Sequence, residues 1–314
     1  MTPSNVPKGF IIRILGADYY VVSGGEEIRC SLRGRFRIGG SPEEALPVVG
    51  DTVEFRRGGS ADTRGPSGLV LSILPRNSIF ARSNPLGKKR YRILGANLDH
   101  VILVFAVREP ELNIRLLDRM LVAAGCGHMN PVICFNKMDL TDKPDRFRRE
   151  MVSYEAMGYE VIFCSARDGE GLERLRAIMG GAKSIMVGPS GAGKTSIVAA
   201  LEPGLDLRIA EVSDRTGKGR HTTSHFELHP LAGGGYLGDS PGVREFGIWG
   251  VSREDLDDYF LDFTPFIGYC RFAGCTHSHE PGCAIKEAVE NGSVLHGRYE
   301  SYLRILEELP DTLP

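Results

Sequence analysis

Three stretches of the 314-residue chain combine residue types that do chemistry. Gly188-Pro189-Ser190-Gly191-Ala192-Gly193-Lys194-Thr195 fits G-x-x-x-x-G-K-[ST], between an apolar run at 184–188 and a helical pattern over 194–201. Glycines let backbone N–H groups curl around phosphate oxygens, and the positive end of the following helix faces the same anion. Lys194 would reach the β- and γ-phosphates of a nucleotide, and Thr195 would place its hydroxyl on Mg²⁺. Ser196 falls in the same helix start.

A second stretch, Asn136-Lys137-Met138-Asp139, ends the apolar run PVICF. Strand ends are where open α/β sheets bind ligands. A carboxylate there accepts from the two neighbouring N–H donors on the guanine edge, and adenine has no such pair, so Asp139 selects guanine. Asn136 and Lys137 would hold the loop and pack on the base. Ser165-Ala166, after the run EVIFC, matches a loop whose backbone supports guanine. Asp239-Ser240-Pro241-Gly242 supplies two more contacts: Asp239 on Mg²⁺, directly or through water, and the Gly242 N–H on the γ-phosphate. In the Gly-rich segment 217–223, Thr222 or Thr223 would complete the Mg²⁺ shell, as an ordered switch segment does in the triphosphate state. Val243 stands where many nucleotide hydrolases carry a water-orienting glutamine. Slow intrinsic hydrolysis is expected, with His221 the nearest candidate to position the water.

The third stretch is a cluster, Cys270-x4-Cys275-x-His277-x5-Cys283. Three thiolates and an imidazole at these spacings suit one tetrahedral structural Zn²⁺, with His279 a substitute for His277. The other four cysteines, Cys30, Cys126, Cys134 and Cys164, are scattered, the last three in or beside apolar runs, and read as reduced core residues.

The elements that must position these groups fall into three textures. Residues 9–75 hold five short β-branched and aromatic segments separated by Gly-Gly turns. They suit a small OB-type barrel, though a β-sandwich fragment gives a similar pattern. Residues 76–93 are basic, contain Pro and Gly and read as a linker. From 98 onward, apolar runs at 101–107, 131–135, 160–166 and 184–188 alternate with helical patterns near 111–125, 144–157, 171–179 and 194–201. That alternation predicts a parallel sheet flanked by helices, with a further strand at 236–239. Beyond 251 the pattern turns helical and polar, broken by the Cys/His cluster and closing with a helix near 296–308. The expected division is a 1–85 OB-fold RNA-binding domain, an 86–249 nucleotide domain and a 250–314 helical zinc domain.

Composition agrees with a folded multidomain chain: 42% hydrophobic, 25% charged, and no apolar run of about 18 residues to span a membrane. No secretory signal is visible, so a cytoplasmic, monomeric protein is expected. Residues 1–92 carry 15 Lys+Arg against 8 Asp+Glu, whereas 93–314 carry 23 against 32. A basic first third suits a polyanionic partner or a solvated basic face, and charge alone does not choose between them. Arg33, Arg35, Phe36, Arg37 and 88–92 are the candidate RNA contacts.

The order of the motifs is rotated. In ordinary GTPases the phosphate loop comes first and the base-reading loop late; here the base-reading loop leads. That order, the β-barrel before it and the Cys-x4-Cys-x-His-x5-Cys cluster after it resemble the RsgA family of circularly permuted bacterial GTPases, over essentially the whole chain. The resemblance implies GTP hydrolysis strongly stimulated by the small ribosomal subunit, a role in that subunit's late maturation, binding to ribosomal RNA, and one Zn²⁺. The family's switch segment resembles 219–223, which supports the role given to His221. Ser240 replaces a usual Thr and Ser224 a common third Thr, and neither change removes a ligand. Two other readings are an RNA-binding assembly module with a degenerate nucleotide site, which intact Lys194, Thr195 and Asp239 oppose, and a small-molecule P-loop kinase, which Asp139 opposes.

Overall fold

The computed structural model describes residues 6–32, 46–58, 67–83, 91–205, 226–239 and 248–309. Five N-terminal strands, β1 (Lys8–Leu15), β2 (Asp18–Ser23), β3 (Glu26–Leu32), β4 (Thr52–Arg57) and β5 (Gly68–Ile73), form a closed barrel in the order β1-β2-β3-β5-β4. β1 closes the ring on β4. All its pairs are antiparallel except β3 with β5. Alternate residues point inward, so Ile11, Val21, Cys30, Val53, Phe55 and Val70 are fully buried. The OB-type barrel therefore holds, and no sandwich forms.

Residues 79–83 and 91–93, expected to be linker, are strand. β6 (Ile79–Ser83) and β7 (Tyr91–Ala96) pair as an antiparallel hairpin, from Ile79↔Ala96 to Ser83↔Tyr91. Its base is locked on both sides. Val49 of the barrel bridges to Gly95, and the Ala96 N–H donates to the Val49 carbonyl at 2.9 Å. The Ile79 N–H donates to the Gly127 carbonyl of the next domain. The register shifts between Phe80 and Ala81, which are consecutive and both buried, so these strands show no clean alternation in the sequence.

The central sheet has the order β10-β9-β8-β11-β13-β12. Its strands are β8 (His100–Ala106), β9 (Asn130–Asn136), β10 (Glu160–Phe163), β11 (Lys183–Val187), β12 (Glu227–Pro230) and β13 (Tyr236–Asp239). All neighbours run parallel except β12, antiparallel to β13. Strand β12 was not anticipated, because four residues ending in Pro230 are too few to show a period. Leu103, Phe105, Ile133, Phe135, Ile185 and Val187 face α1 (Ile114–Cys126) and α2 (Pro144–Ala156). Their neighbours Ile102, Val104, Val132, Cys134 and Met186 face α3 (Leu172–Met179) and α4 (Lys194–Leu201). Strands buried on both faces are why the sequence shows continuous apolar runs. β11 lies at the centre, between a strand that precedes it in the chain and one that follows it.

The C-terminal module packs 3-10 turns, α5 (Ala284–Glu290) and α6 (His296–Glu308) around Leu256, Phe260, Phe263, Ile285 and Tyr302. Helix α5 was not anticipated within the cluster region. The module's core extends into α1 through Val122 and Cys126. Beside it the Arg298 guanidinium, 2% exposed, donates to Asp118 of α1 at 2.7 Å and to Asp262 at 2.8 Å. Among the described residues no helix is long and apolar enough to cross a membrane.

Candidate functional site: a guanine-nucleotide pocket and a thiolate–imidazole cluster

The phosphate loop leaves β11 and enters α4 at Lys194. Its glycines answer to space as well as to conformation. Gly188 (φ +150°) lies against β8, where a Cβ would stand 2.0 Å from the Val104 carbonyl oxygen. Gly193 (φ +91°) would bring a Cβ within 2.2 Å of Asn136 Nδ2. Lys194 Nζ donates to the carbonyls of Gly188 at 2.8 Å and Pro189 at 2.9 Å, which holds its charge over the loop. Ala192 is buried, Pro189 is partly covered, and Ser190, Gly191, Thr195 and Ser196 are exposed at the open end of α4.

Asn136 is the hub. Its side chain is 1% exposed at the end of β9. Nδ2 donates to the Ala192 carbonyl of the phosphate loop at 2.9 Å, and Oδ1 accepts from the Ala166 N–H at 3.2 Å. One amide thus ties the base-reading loop, the phosphate loop and the Ser165-Ala166 loop together. Lys137 takes a left-handed backbone (φ +65°), and its ammonium donates to the Glu109 carbonyl. Met138 is buried, with its N–H donating to the Cys164 carbonyl at 3.1 Å. Asp139 Oδ1 accepts from Ser165 Oγ at 2.9 Å, which aims the carboxylate, and Arg167 flanks Oδ2 at 3.8 Å. Segments 26 to 56 residues apart therefore meet in one place.

For Asp239 the backbone alone is described, at the end of β13. The register Ile185↔Gly238 brings that strand end beside the end of β11. Thr195 and Asp239 thus follow adjacent parallel strands, a placement that fits a shared Mg²⁺. His221, Thr222, Thr223, Gly242, Arg33, Arg35, Phe36, Arg37 and 88–90 lie outside the described residues, and Tyr91 and Arg92 are described by backbone alone.

The Cys/His cluster converges as well. One ligand atom each from Cys270, Cys275, His277 and Cys283 lies within 4.8 Å of all the others. A tetrahedral ion with metal–sulfur bonds of about 2.3 Å spaces its sulfurs by about 3.8 Å. Cys270 and Cys283 Sγ stand 3.9 Å apart, and His277 Nδ1 is 3.5 and 3.3 Å from them. The residues fit a metal ion. His279 is exposed and bonds Ser278 instead, so His277 is the fourth donor. Burial pushes the Cys275 thiol up to about 12. Burial would also raise Cys283, but N–H groups at the start of α5 and the His277 ring hold it below the usual thiol range.

Sequence reasoning missed the supports. Asp257 Oδ2 sits 3.0 Å from His277 Nε2, a carboxylate that fixes the ring and its tautomer. Glu280 accepts from Thr276 N at 2.9 Å and from its Oγ1 at 2.7 Å. Burial opposes its charge, yet these bonds bring its carboxyl down to about 2. Tyr299 and Tyr302 hydroxyls donate to the His277 and Thr276 carbonyls. The only sequence signal for Asp257 is an acidic pair, Asp257-Asp258, upstream of the cluster, and nothing local says which member turns inward.

Comparison with known proteins agrees with this geometry. The family described as RsgA GTPase matches residues 73–249, and the RsgA N-terminal domain matches 8–63. The small ribosomal subunit biogenesis GTPase RsgA of Gemmatimonas aurantiaca is 44% identical over 286 residues, 91% of each chain. Its namesake from Moorella thermoacetica is 38% identical, covering 96% of this chain and 97% of its own. The crystal structure of YjeQ from Thermotoga maritima superposes with a TM-score of 0.77 at 34% identity, covering 96% of this chain and 98% of that one. YloQ, titled a circularly permuted GTPase, gives 0.75 at 28% identity, with 99% and 97% covered. A base-reading loop that precedes its phosphate loop, yet meets it through Asn136, is what a permuted chain must build, and the protein belongs to the RsgA GTPase family.

Proposed function

We propose that this GTPase hydrolyses GTP on the small ribosomal subunit during its late maturation, and that the subunit stimulates the reaction. The observation that carries the nucleotide part is the Asn136 amide joining three loops. Asp139 accepts from the guanine N1–H and N2–H, and Asn136, Lys137, Met138, Ser165 and Ala166 shape the base pocket. The N–H groups of Gly188 and of 190–193 cradle the phosphates, with Pro189 in the turn, Lys194 on the β- and γ-oxygens and Ser196 beside them. Thr195, Asp239 and one of Thr222 or Thr223 hold Mg²⁺, which when bound neutralises charge developing on the transferred phosphoryl. The Gly242 N–H contacts the γ-phosphate, and His221 orients the attacking water. With Val243 in the usual glutamine place, little hydrolysis occurs without the partner.

The cluster takes one structural Zn²⁺ through Cys270, Cys275, His277 and Cys283, in keeping with its donor set. The division is 1–85, 86–249 and 250–314, with the hairpin straddling the first junction. Basic groups of the N-terminal part of the chain, Arg33, Arg35, Arg37 and 88–92, with Phe36 stacking, contact ribosomal RNA. The protein works in the cytoplasm, in keeping with the ribosome-biogenesis names of its relatives, and as a monomer.

The test is GTP turnover with and without purified small subunits. Turnover should rise strongly with subunits, weaken as salt rises, and vanish in Lys194→Ala. Equal turnover with and without subunits refutes the proposal. ATP competing equally with a fluorescent guanine nucleotide refutes the base assignment.

A further inference from the structure

We propose that Phe226 is the positioning residue through which engagement of the barrel reaches the γ-phosphate side of the nucleotide site. The proposal rests on the reading that the small subunit stimulates hydrolysis. Phe226 stands three residues after Thr223 and immediately before β12. Its ring is 7% exposed and packs against Phe80 of the hairpin, with centroids 5.9 Å apart.

Two glycines from different sheets make room for it. A Cβ on Gly95 of β7 would fall 2.5 Å from ring atom Cε1. A Cβ on Gly238 of β13 would fall 2.7 and 2.8 Å from Cε2 and Cζ. Neither glycine has a left-handed φ, so both positions answer to the ring's volume and not to backbone conformation. One edge of the ring therefore touches the hairpin and the other touches β13.

Each contact leads to a working part. Gly95 bridges to Val49 of the barrel, and a Cβ on the adjoining Gly50 would meet the Ala96 carbonyl oxygen at 1.8 Å, so barrel and hairpin cannot slip independently. Gly238 pairs with Ile185 of β11, the strand that feeds the phosphate loop, and directly precedes Asp239. The line Val49–Gly95–Phe226–Gly238 joins the barrel to the last backbone position before a proposed Mg²⁺ ligand, with no slack in the packing. Close-packed interiors transmit displacement along such a line.

A size-swap cycle tests it. Gly95→Ala, Phe226→Leu and the combination are compared with the unaltered protein by thermal melting, affinity for a fluorescent guanine nucleotide, and kcat and KM for GTP with and without saturating small subunits. Each single change should lower the stimulated kcat about tenfold while KM and the subunit-free rate stay within about twofold. In the combination the added methyl fills part of the space the ring vacates, and the stimulated kcat should recover to within about threefold of the unaltered value. A combination no better than the worse single, or singles stimulated like the unaltered protein, overturns the role. If Gly95→Ala does not fold, Phe226→Leu decides: an undiminished stimulated kcat overturns the role and the tenfold loss supports it. An unaltered protein that subunits do not stimulate refutes the underlying reading, and the role falls with it.

Discussion

Asn136 concentrates the site's polar accounting in one buried amide. Replacing it with Ala leaves the Ala192 carbonyl and the Ala166 N–H without their partner. Unpaired buried groups cost about 1–3 kcal/mol each. Asn136→Ala should therefore lower stability by about 2–4 kcal/mol in chemical unfolding and weaken guanine-nucleotide binding in the same preparation. Asp139 carries a different consequence. Asn at 139 offers an amide donor where guanine presents N–H groups, and xanthine presents a carbonyl there. Asp139→Asn should lose affinity for GTP and gain it for xanthosine triphosphate; unchanged preference in competition binding would remove Asp139 from the base pocket. These residues were legible because their partners in the motif are adjacent in sequence. Asp257 and Asp118 were not, because each acts on a partner 20 or 180 residues away and no local spacing marks it.

Among the elements, the cysteine–histidine turn depends on its carboxylate support. Asp257→Asn keeps the hydrogen bond to His277 but removes its charge. Loss of such outer support typically costs about 10–100-fold in metal affinity, and competition with a chromophoric chelator should read that drop for Zn²⁺. Proton competition has a definite sign. With the free Cys275 thiol near 12, binding must expel a proton at neutral pH. Affinity should therefore fall as pH falls, which the same titration at two pH values checks. Element by element, buried parallel strands and α4 and α6 followed from apolar runs and helical spacing. The β6–β7 hairpin, β12 and α5 did not: the first is broken by a register shift at Phe80/Ala81, the second is four residues long, and the third is only seven residues long and begins directly after Cys283. Tertiary contacts, not local pattern, decide all three.

For the molecule as a whole, Arg298 fastens the C-terminal module to the GTPase domain. Two carboxylates, 0% and 6% exposed, depend on it for their counter-charge, and the Tyr154 hydroxyl donates to one of them at 2.8 Å. Arg298→Met keeps much of the volume and strands both charges, which should cost about 3–5 kcal/mol in unfolding experiments. Arg298→Lys should recover only part of the loss, since an ammonium lacks the planar fork that serves two acids.

The same bridge bears on how the protein is made. Asp118 leaves a ribosome 180 residues ahead of Arg298, an interval of about 10–40 s at common translation speeds. Throughout that wait Asp118 has the Tyr154 hydroxyl but not its guanidinium, so its carboxylate must stay hydrated or take up a proton. Val122 and Cys126 of the same helix, α1, gain apolar neighbours earlier, when Val251, Leu256 and Phe260 emerge, so the seam between the two parts closes in stages and Arg298 completes it.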